Sequence, residues 1–301
     1  MYYKIMSVLI SIYMSVASLF YTPTPVTPVN PGRVPEPAST LKATVMTYNL
    51  KTSGTGEYSI ENRKDSVMAS IREYMPDSVG FEEANEKWVK ILSDELTEYA
   101  HVGIGRDPGG KGEASPVFYL KDKYEVTDSG TFWLSQTPEK PSKGWDAFFF
   151  NRVCTYAVLK EKATGFTYAH FNVHTDHIGV VSRLESAALI SKKIAEIAPD
   201  IPVVLSGDFN DDEGSDMYNR ILESGMQDTK FLAAETMDSG TYHGYSDFSE
   251  KNRTKPIDFI FVNAYVSSVE SYKVDLKKFN GIYPSDHHPV IVTLTLFNGG
   301  K

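Results

Sequence analysis

A single cysteine, Cys154, rules out an internal disulfide and any metal site assembled from paired thiolates. Set between Val153 and Thr155, it reads as a small buried hydrophobe. Positive charge is also scarce: 30 Lys and Arg stand against 39 Asp and Glu, a net charge of −9. Sequence-independent binding to long nucleic acid draws its affinity from counterions released by cationic side chains, so this balance argues against such a partner. Short or local phosphate groups stay within reach, because a bound metal can supply the missing charge. No repeat of fixed period is visible. One long apolar run opens the chain, where residues 5–20 follow Lys4 without an acid and fall slightly short of the ~18 residues of a comfortable membrane span. Val16 and Ser18 offer a small-residue cleavage site, so residues 1–20 read as an export signal, with an uncleaved anchor as the alternative. A secreted, cell-surface or periplasmic protein is expected, in contact with membrane only through that segment.

What the chain does contain suits a substantial core. The hydrophobic fraction is 41% and the aromatic fraction 12%, which fits a strand-rich fold. Residues 21–41 are rich in Pro and Thr and read as an extended linker that neither packs nor joins a ladder. One domain is expected over 42–298. Alternating or continuous apolar runs predict strands over 43–50, 78–81, 117–120, 131–134, 155–160, 167–174, 203–205, 257–262 and 290–296. Helical spacing predicts helices over 62–74, 88–96, 182–197 and 217–222. Strands and helices thus alternate in both halves, the pattern of a layered α/β domain.

The centre of the pattern is Val203-Val204-Leu205-Ser206-Gly207-Asp208-Phe209-Asn210. Its first three residues read as a strand buried on both faces. Ser206 and Gly207 are expected to end that strand. Asp208 and Asn210 share a face if the backbone stays extended. Other predicted strands also finish in acids, amides or imidazoles: Asn49, Glu83, His174, Asp258 and the pair Asp286-His287. Each has a plainer reading, as a turn residue, a helix-start acid, a structural histidine or a strand cap. The run Pro284-Ser285-Asp286-His287-His288-Pro289 resists it, since a turn needs neither an acid nor two imidazoles. In a layered sheet protein, strand ends on one rim gather into one pocket.

Together these residues resemble the endonuclease/exonuclease/phosphatase superfamily of metal-dependent phosphoesterases. The resemblance rests on Thr47-Tyr48-Asn49, Gly80-Phe81-Glu82-Glu83, Asn172-Val173-His174-Thr175-Asp176-His177, Ser206-Gly207-Asp208-Phe209-Asn210, Ile257-Asp258-Phe259-Ile260 and Ser285-Asp286-His287-His288-Pro289, in the family's order. Gly105-Arg106-Asp107, Gly112-Glu113, the stretch 132–138 and Gly144-Trp145-Asp146 look like a bacterial branch of it. One departure is Glu82, where a Gln is common, and it is expected to add negative charge beside the metal. The resemblance implies a four-layer α/β/β/α sandwich. It also implies Mg²⁺ or Mn²⁺ held by Glu83, with Asn49 and Asp286 as further oxygen donors, a donor set suited to hard cations. Asp208 would orient or deprotonate the attacking water, and Asn210 would hold that water or a phosphate oxygen. His287, oriented by Asp258, would donate to the phosphoryl oxygen, and His174 would contact the phosphate from the other side.

Among the remaining candidates, His288 and His170 read as structural and Asn172 as support for the site. Asp176 and His177 read as braces of the His174 loop. Arg183 would reach substrate or solvent. Arg152, His243 and Glu113 are candidates for a substrate wall, whereas Trp133 and Trp145 read as core. No exposed apolar hairpin for lipid insertion stands out. The expected activity is hydrolysis of a phosphate mono- or diester, with a sugar or other small-molecule phosphate favoured and a monomer expected. A nuclease or sphingomyelinase-like phosphodiesterase is the nearest alternative. A surface binding protein that kept the fold without catalysis is the alternative from another class, and a missing Glu, Asp or His in the motifs would have favoured it.

Overall fold

Two β-sheets lie face to face and each carries helices on its outer surface, as a computed structural model describing residues 21–30, 32, 36–245, 255–279 and 281–299 shows. In chain order the elements are β1 (Pro37–Asn49), α1 (Ile60–Tyr74), β2 (Ser78–Glu82), α2 (Glu86–Glu95), β3 (Tyr99–Val102), β4 (Gly105–Asp107), β5 (Lys111–Ala114), β6 (Val117–Leu120), β7 (Tyr124–Trp133), β8 (Val153–Glu161) and β9 (Thr167–His174). There follow α3 (Val180–Ile197), β10 (Val203–Asp208), α4 (Asp216–Glu223), β11 (Gln227–Asp228), α5 (Thr229–Leu232), β12 (Ala233–Met237), β13 (Asp258–Val262), β14 (Val266–Val274) and β15 (Val290–Gly299). One sheet runs β12-β14-β15-β1-β2-β6-β3, the other β11-β13-β10-β9-β8-β7, and β4 and β5 form a small hairpin of their own.

Side-chain alternation builds the layers. On β1, Met46 and Tyr48 face α1 and α2 together with Val67, Ile71 and Trp88, while Val45 faces inward to the second sheet. On β10, Val204 faces inward and Val203 and Leu205 pack beneath α3 and α4. The expected four-layer sandwich is borne out, and the central strand is buried on both faces. Cys154 is fully buried within the layer beneath α3. The strand is not ended by Ser206 and Gly207, however. Both stay in the ladder, paired with Ile260 and Phe259 on one side and Asn172 and Val173 on the other. Gly207 is required there because its φ is +144° and a Cβ would sit 1.9 Å from the Val173 carbonyl oxygen.

The Pro/Thr-rich segment departs from expectation. It is extended, yet it packs: Val29 is buried, its N–H bonds to the Ser224 carbonyl, and Thr24 and Thr27 donate to Glu185 and Ser191 of α3. Prolines remove only their own N–H groups, so the threonines and Asn30 between them remain free to bond to the helix layer. β1 likewise begins at Pro37, and residues 37–40 pair with the end of β15. Residues 1–20, read as a leader, lie outside the described residues, and no described helix is long and apolar enough to cross a membrane.

Candidate active site

Topology brings the motif residues to one rim. β1 runs parallel to β2, and β9 parallel to β10, so Asn49, Glu82, His174 and Asp208 all stand at C-terminal strand ends. β13 and β15 run antiparallel to their neighbours, so their starts bring Asp258 and the preceding Asp286-His287 to the same edge. In register, Asp208 lies between His174 and Asp258 on three adjoining strands. A cavity of about 470 Å³ opens at this rim. Glu83, His174, Asp208, Asn210, Asp286 and His287 line it, with Asn49 and Asp258 fully buried behind them.

Contacts within the cluster are specific. His287 donates through Nδ1 to Asp258 Oδ2 at 2.9 Å, and its Nε2 lies 3.8 Å from Asp208 Oδ2. His174 Nε2 approaches the same oxygen at 3.5 Å. Asn49 donates from its amide nitrogen to Asp208 at 2.8 Å and toward Glu83 at 3.5 Å, while its oxygen accepts from the Lys51 backbone. Glu83 also accepts from the Thr52 N–H at 2.8 Å. Asn210 does not continue an extended strand; its φ is +48°, and its N–H folds back to Asp208 Oδ1 at 2.9 Å. Glu83 and Lys51, at φ +55° and +53°, share that uncommon left-handed backbone. Such strain persists where surrounding structure holds it in place.

Charge states differ sharply between the two imidazoles. Burial pushes His174 well below its ordinary value and the Arg152 and Arg106 guanidiniums add to the shift, which leaves it neutral. Burial would do the same to His287, but the Asp258 carboxylate and its hydrogen bond, with Asp208 and Asp286, hold it well above that value as an imidazolium. Burial and the Asp258 charge push Asp208 up, against the pull of His287. Asp286 is held low: burial works against this, but His287 and the Lys51 ammonium, 2.7 Å away, prevail.

Beneath the rim, the inter-sheet layer is polar. His170 bonds to Ser78 and Ser206, each at 2.8 Å, and Asn172 bonds to Ser206 and the Phe81 carbonyl. Gly80 makes room for this floor, since a Cβ there would sit 2.1 Å from Asn172 Oδ1. Glu82 belongs to the floor, not to the metal side. It is fully buried and accepts from the Thr47 hydroxyl, and burial with the charges of Asp258 and Asp208 pushes it well above the usual carboxylate range. The expected extra negative charge beside the metal is corrected to this extent: Glu82 is buried off the cavity lining, where its charged form is disfavoured.

Asp208, Asp258 and His287 place one ligand atom each within 4.8 Å of one another, a spacing that a cation bridges only when the His287 ring is neutral. Beside them, Glu83, Asn49 and Asp286 supply oxygen, and the Asp258 Oδ1 is buried without a hydrogen-bond partner. Hard divalent cations take such donors. An ammonium on Asp286 marks the corner as one that attracts positive charge.

The sequence model of the Endonuclease/Exonuclease/phosphatase family matches residues 46–287. The chain belongs to the endonuclease/exonuclease/phosphatase family. A family protein from Bacteroides vulgatus is 36% identical, with a TM-score of 0.80 over 85% of this chain and 99% of that one. The mannosyl-6-phosphatase of Bacteroides thetaiotaomicron is 33% identical, with a TM-score of 0.77 over 83% of this chain and 98% of that one. Uncharacterized protein L388 of Acanthamoeba polyphaga mimivirus is 32% identical over 165 residues, which is 52% of this chain and 61% of the length of that curated relative. The family fold and the clustered Asp, Asp and His support metal-dependent phosphoester hydrolysis.

Other candidates fall where packing puts them. Arg152, Glu113 and His177 line the cavity, whereas His243 packs at a tilt against Tyr283 and His288 away from its lining. Arg183 reaches neither substrate space nor open solvent: it bonds to Asp211 and the Asp176 carbonyl. Asp176 caps the loop after His174 through the N–H groups of Ile178 and Gly179. Trp133 is buried and donates to the Arg106 carbonyl, and Asp146 accepts from the first N–H groups of α3. Arg106, from one of the branch-specific stretches, also lines the cavity, as do Lys51, Thr52, Phe150 and Tyr242, which the sequence does not single out. Phe148, Phe149 and Phe150, between 43% and 51% exposed, form an aromatic edge that the sequence reading passed over.

Proposed function

We propose that this protein hydrolyses a phosphate monoester of a small hydroxylated molecule, a sugar phosphate foremost, with Mg²⁺ or Mn²⁺ as its cofactor. The observation that carries the proposal is the meeting of His174 and His287, one neutral and one charged, on a single oxygen of Asp208. Glu83, Asp286 and Asn49 would hold the cation, which supplies Lewis acidity toward a phosphoryl oxygen. Asp208, raised by burial, takes the proton of the attacking water. The His287 imidazolium, fixed by Asp258, donates to the phosphoryl oxygen as charge builds there. His174 offers its neutral ring from the other side, and Asn210 holds the water or a phosphate oxygen. The net charge of −9 speaks against long nucleic acid, and the likeness to a mannosyl-6-phosphatase speaks for a small sugar ester. We further propose export through residues 1–20 and action as a monomer.

The test is release of inorganic phosphate by the purified protein from a panel of sugar phosphates, nucleotides and p-nitrophenyl phosphate, with bis-p-nitrophenyl phosphate as the diester. Activity should require added Mg²⁺ or Mn²⁺ and vanish with chelator. Turnover undiminished by chelator, or confined to the diester, would refute the reading.

A further inference from the structure

One wall of the cavity lies beyond the reacting cluster. Arg106 and Arg152 are 7% and 5% exposed, and with Glu113 and His174 they also border a small adjoining depression. Arg106 Nη1 bonds to Glu113 Oε2 at 2.7 Å, and Arg152 donates to His177 Nδ1 at 2.9 Å. Arg152 Nε lies 3.7 Å from Asp176 without a hydrogen bond. The Nε–H groups of both arginines are buried and lack any hydrogen-bond partner. A buried unpaired donor is costly, and in a native protein it asks for a reason. Phe150, 43% exposed, covers this wall, with the Arg106 and Arg152 guanidiniums 4.4 and 5.8 Å from its ring centre.

We propose that Arg106, Glu113, Arg152, His177 and Phe150 bind the alcohol part of the substrate, and that they take a sugar ring by a pair of neighbouring hydroxyls. The proposal rests on the monoesterase reading above. Each guanidinium already has a carboxylate near it, so the wall holds no surplus of positive charge for a second anion. What it offers is donor and acceptor side by side. A hydroxyl both accepts and donates, so adjacent ring hydroxyls can meet the cavity-lining edges of the two guanidiniums and of Glu113 together. The apolar C–H face of the same ring suits the exposed face of Phe150. The wall is also held in advance of binding. The Trp133 indole and the Asn151 amide fix the Arg106 carbonyl at 2.6 and 3.2 Å, and Asp146 ties the loop that carries Phe150 to the start of α3. Groups positioned beforehand lose less freedom when ligand arrives.

Two measurements on the full chain with Mg²⁺ decide the matter. The first compares kcat/KM for a hexose 6-phosphate with that for p-nitrophenyl phosphate in the wild type, Glu113→Gln and Phe150→Ala. Each variant should lose about tenfold more on the sugar ester than on the plain ester, as expected when a site built for hydroxyls loses a partner. The second is binding of free D-mannose or D-glucose by calorimetry or ligand-observed NMR, which should be detectable in the wild type and weakened about tenfold in Glu113→Gln. Equal losses on both esters overturn the assignment, as does hexose binding indifferent to Glu113. A preference for nucleoside monophosphates that falls in Phe150→Ala overturns it too, by placing a base on the wall. If no monoester is hydrolysed but hexose binds through Glu113, the wall stands and the monoesterase reading falls.

Discussion

His170 and His287 are both buried and both make well-formed hydrogen bonds, yet one is neutral and the other charged. His170 sits in the floor between the sheets, where its two nitrogens meet only the hydroxyls of Ser78 and Ser206, and burial takes its pKa down to about 3. His287 sits at the rim, where a carboxylate 2.9 Å away outweighs the same burial. His174 refines the lesson. Asp208 is 3.5 Å from it, but Arg152 and Arg106 are close as well, and it stays neutral. Burial sets the default, and the balance of nearby charge decides the exceptions. The floor thereby builds a rigid base, and the rim keeps one ring able to give a proton-bearing contact and one that is not charged.

Rim and floor should differ most in activity. His287→Ala and Asp208→Asn should each lower kcat by about 10³-fold or more, in the range expected when general acid–base groups are removed. Circular dichroism should stay native in both. Wild-type turnover in either variant would remove these residues from the reaction. His170→Ala should do the reverse. It takes one of the hydrogen bonds from each of two buried hydroxyls and opens a void, costing about 2–4 kcal/mol, read as a lowered denaturation midpoint at unchanged m-value. A floor variant as stable as the wild type would mean that the hydroxyls re-pair without the ring.

The sequence made the rim legible because most of its residues close an apolar run, and the sheet's parallel pairs carry such ends to one edge. Asn49, Glu83, His174 and Asp208 follow that rule, whereas Asp258 and Asp286 reach the same edge at or just before the starts of antiparallel strands. The wall was legible only in part: Arg152 and Glu113 were candidates for it, but the contacts that assemble it were not. Arg106 and Glu113 face each other across the β4–β5 hairpin, whose three- and four-residue strands leave no periodicity to read. Phe148-Phe149-Phe150 lies in no predicted strand or helix and stands exposed on a loop that Asp146 ties to α3. β14 escaped notice because its sequence, Val-Ser-Ser-Val-Glu-Ser-Tyr-Lys-Val, mixes polar residues into a strand that lies one from the sheet edge. Glu82 was misread as an added charge because sequence shows the residue type and not its burial.

Acid sharpens the floor side of the comparison. Burial also takes His288 down to about 3, with His243 and His287 adding to it. In the unfolded chain these rings titrate near 6.5. Below that pH the unfolded state binds protons that the folded state refuses, so stability present above about pH 6.5 drains away as the pH falls toward 3. Between pH 7 and 4 each ring should contribute a loss on the order of 3 kcal/mol. Chemical denaturation of wild type and His170→Asn at several pH values tests this, since the variant should show the shallower slope. Parallel slopes would mean that His170 keeps its proton in the fold.

The smallest effect concerns the cation corner. The Lys51 ammonium lies 2.7 Å from Asp286, within the field of Glu83, and a divalent cation on the same oxygens must share or replace it. Lys51 is one-third exposed, so its pairing is partly screened and worth no more than about 1 kcal/mol. Lys51→Met removes the competitor but also the ammonium that Asp286 bonds. The metal-free variant should therefore be about 1 kcal/mol less stable at most, and its affinity for Mg²⁺ by calorimetry should rise by up to about fivefold, the same energy expressed as binding. A fall in affinity would show instead that Lys51 orients Asp286 for the cation, and the corner would then owe its form to the lysine as much as to the acids.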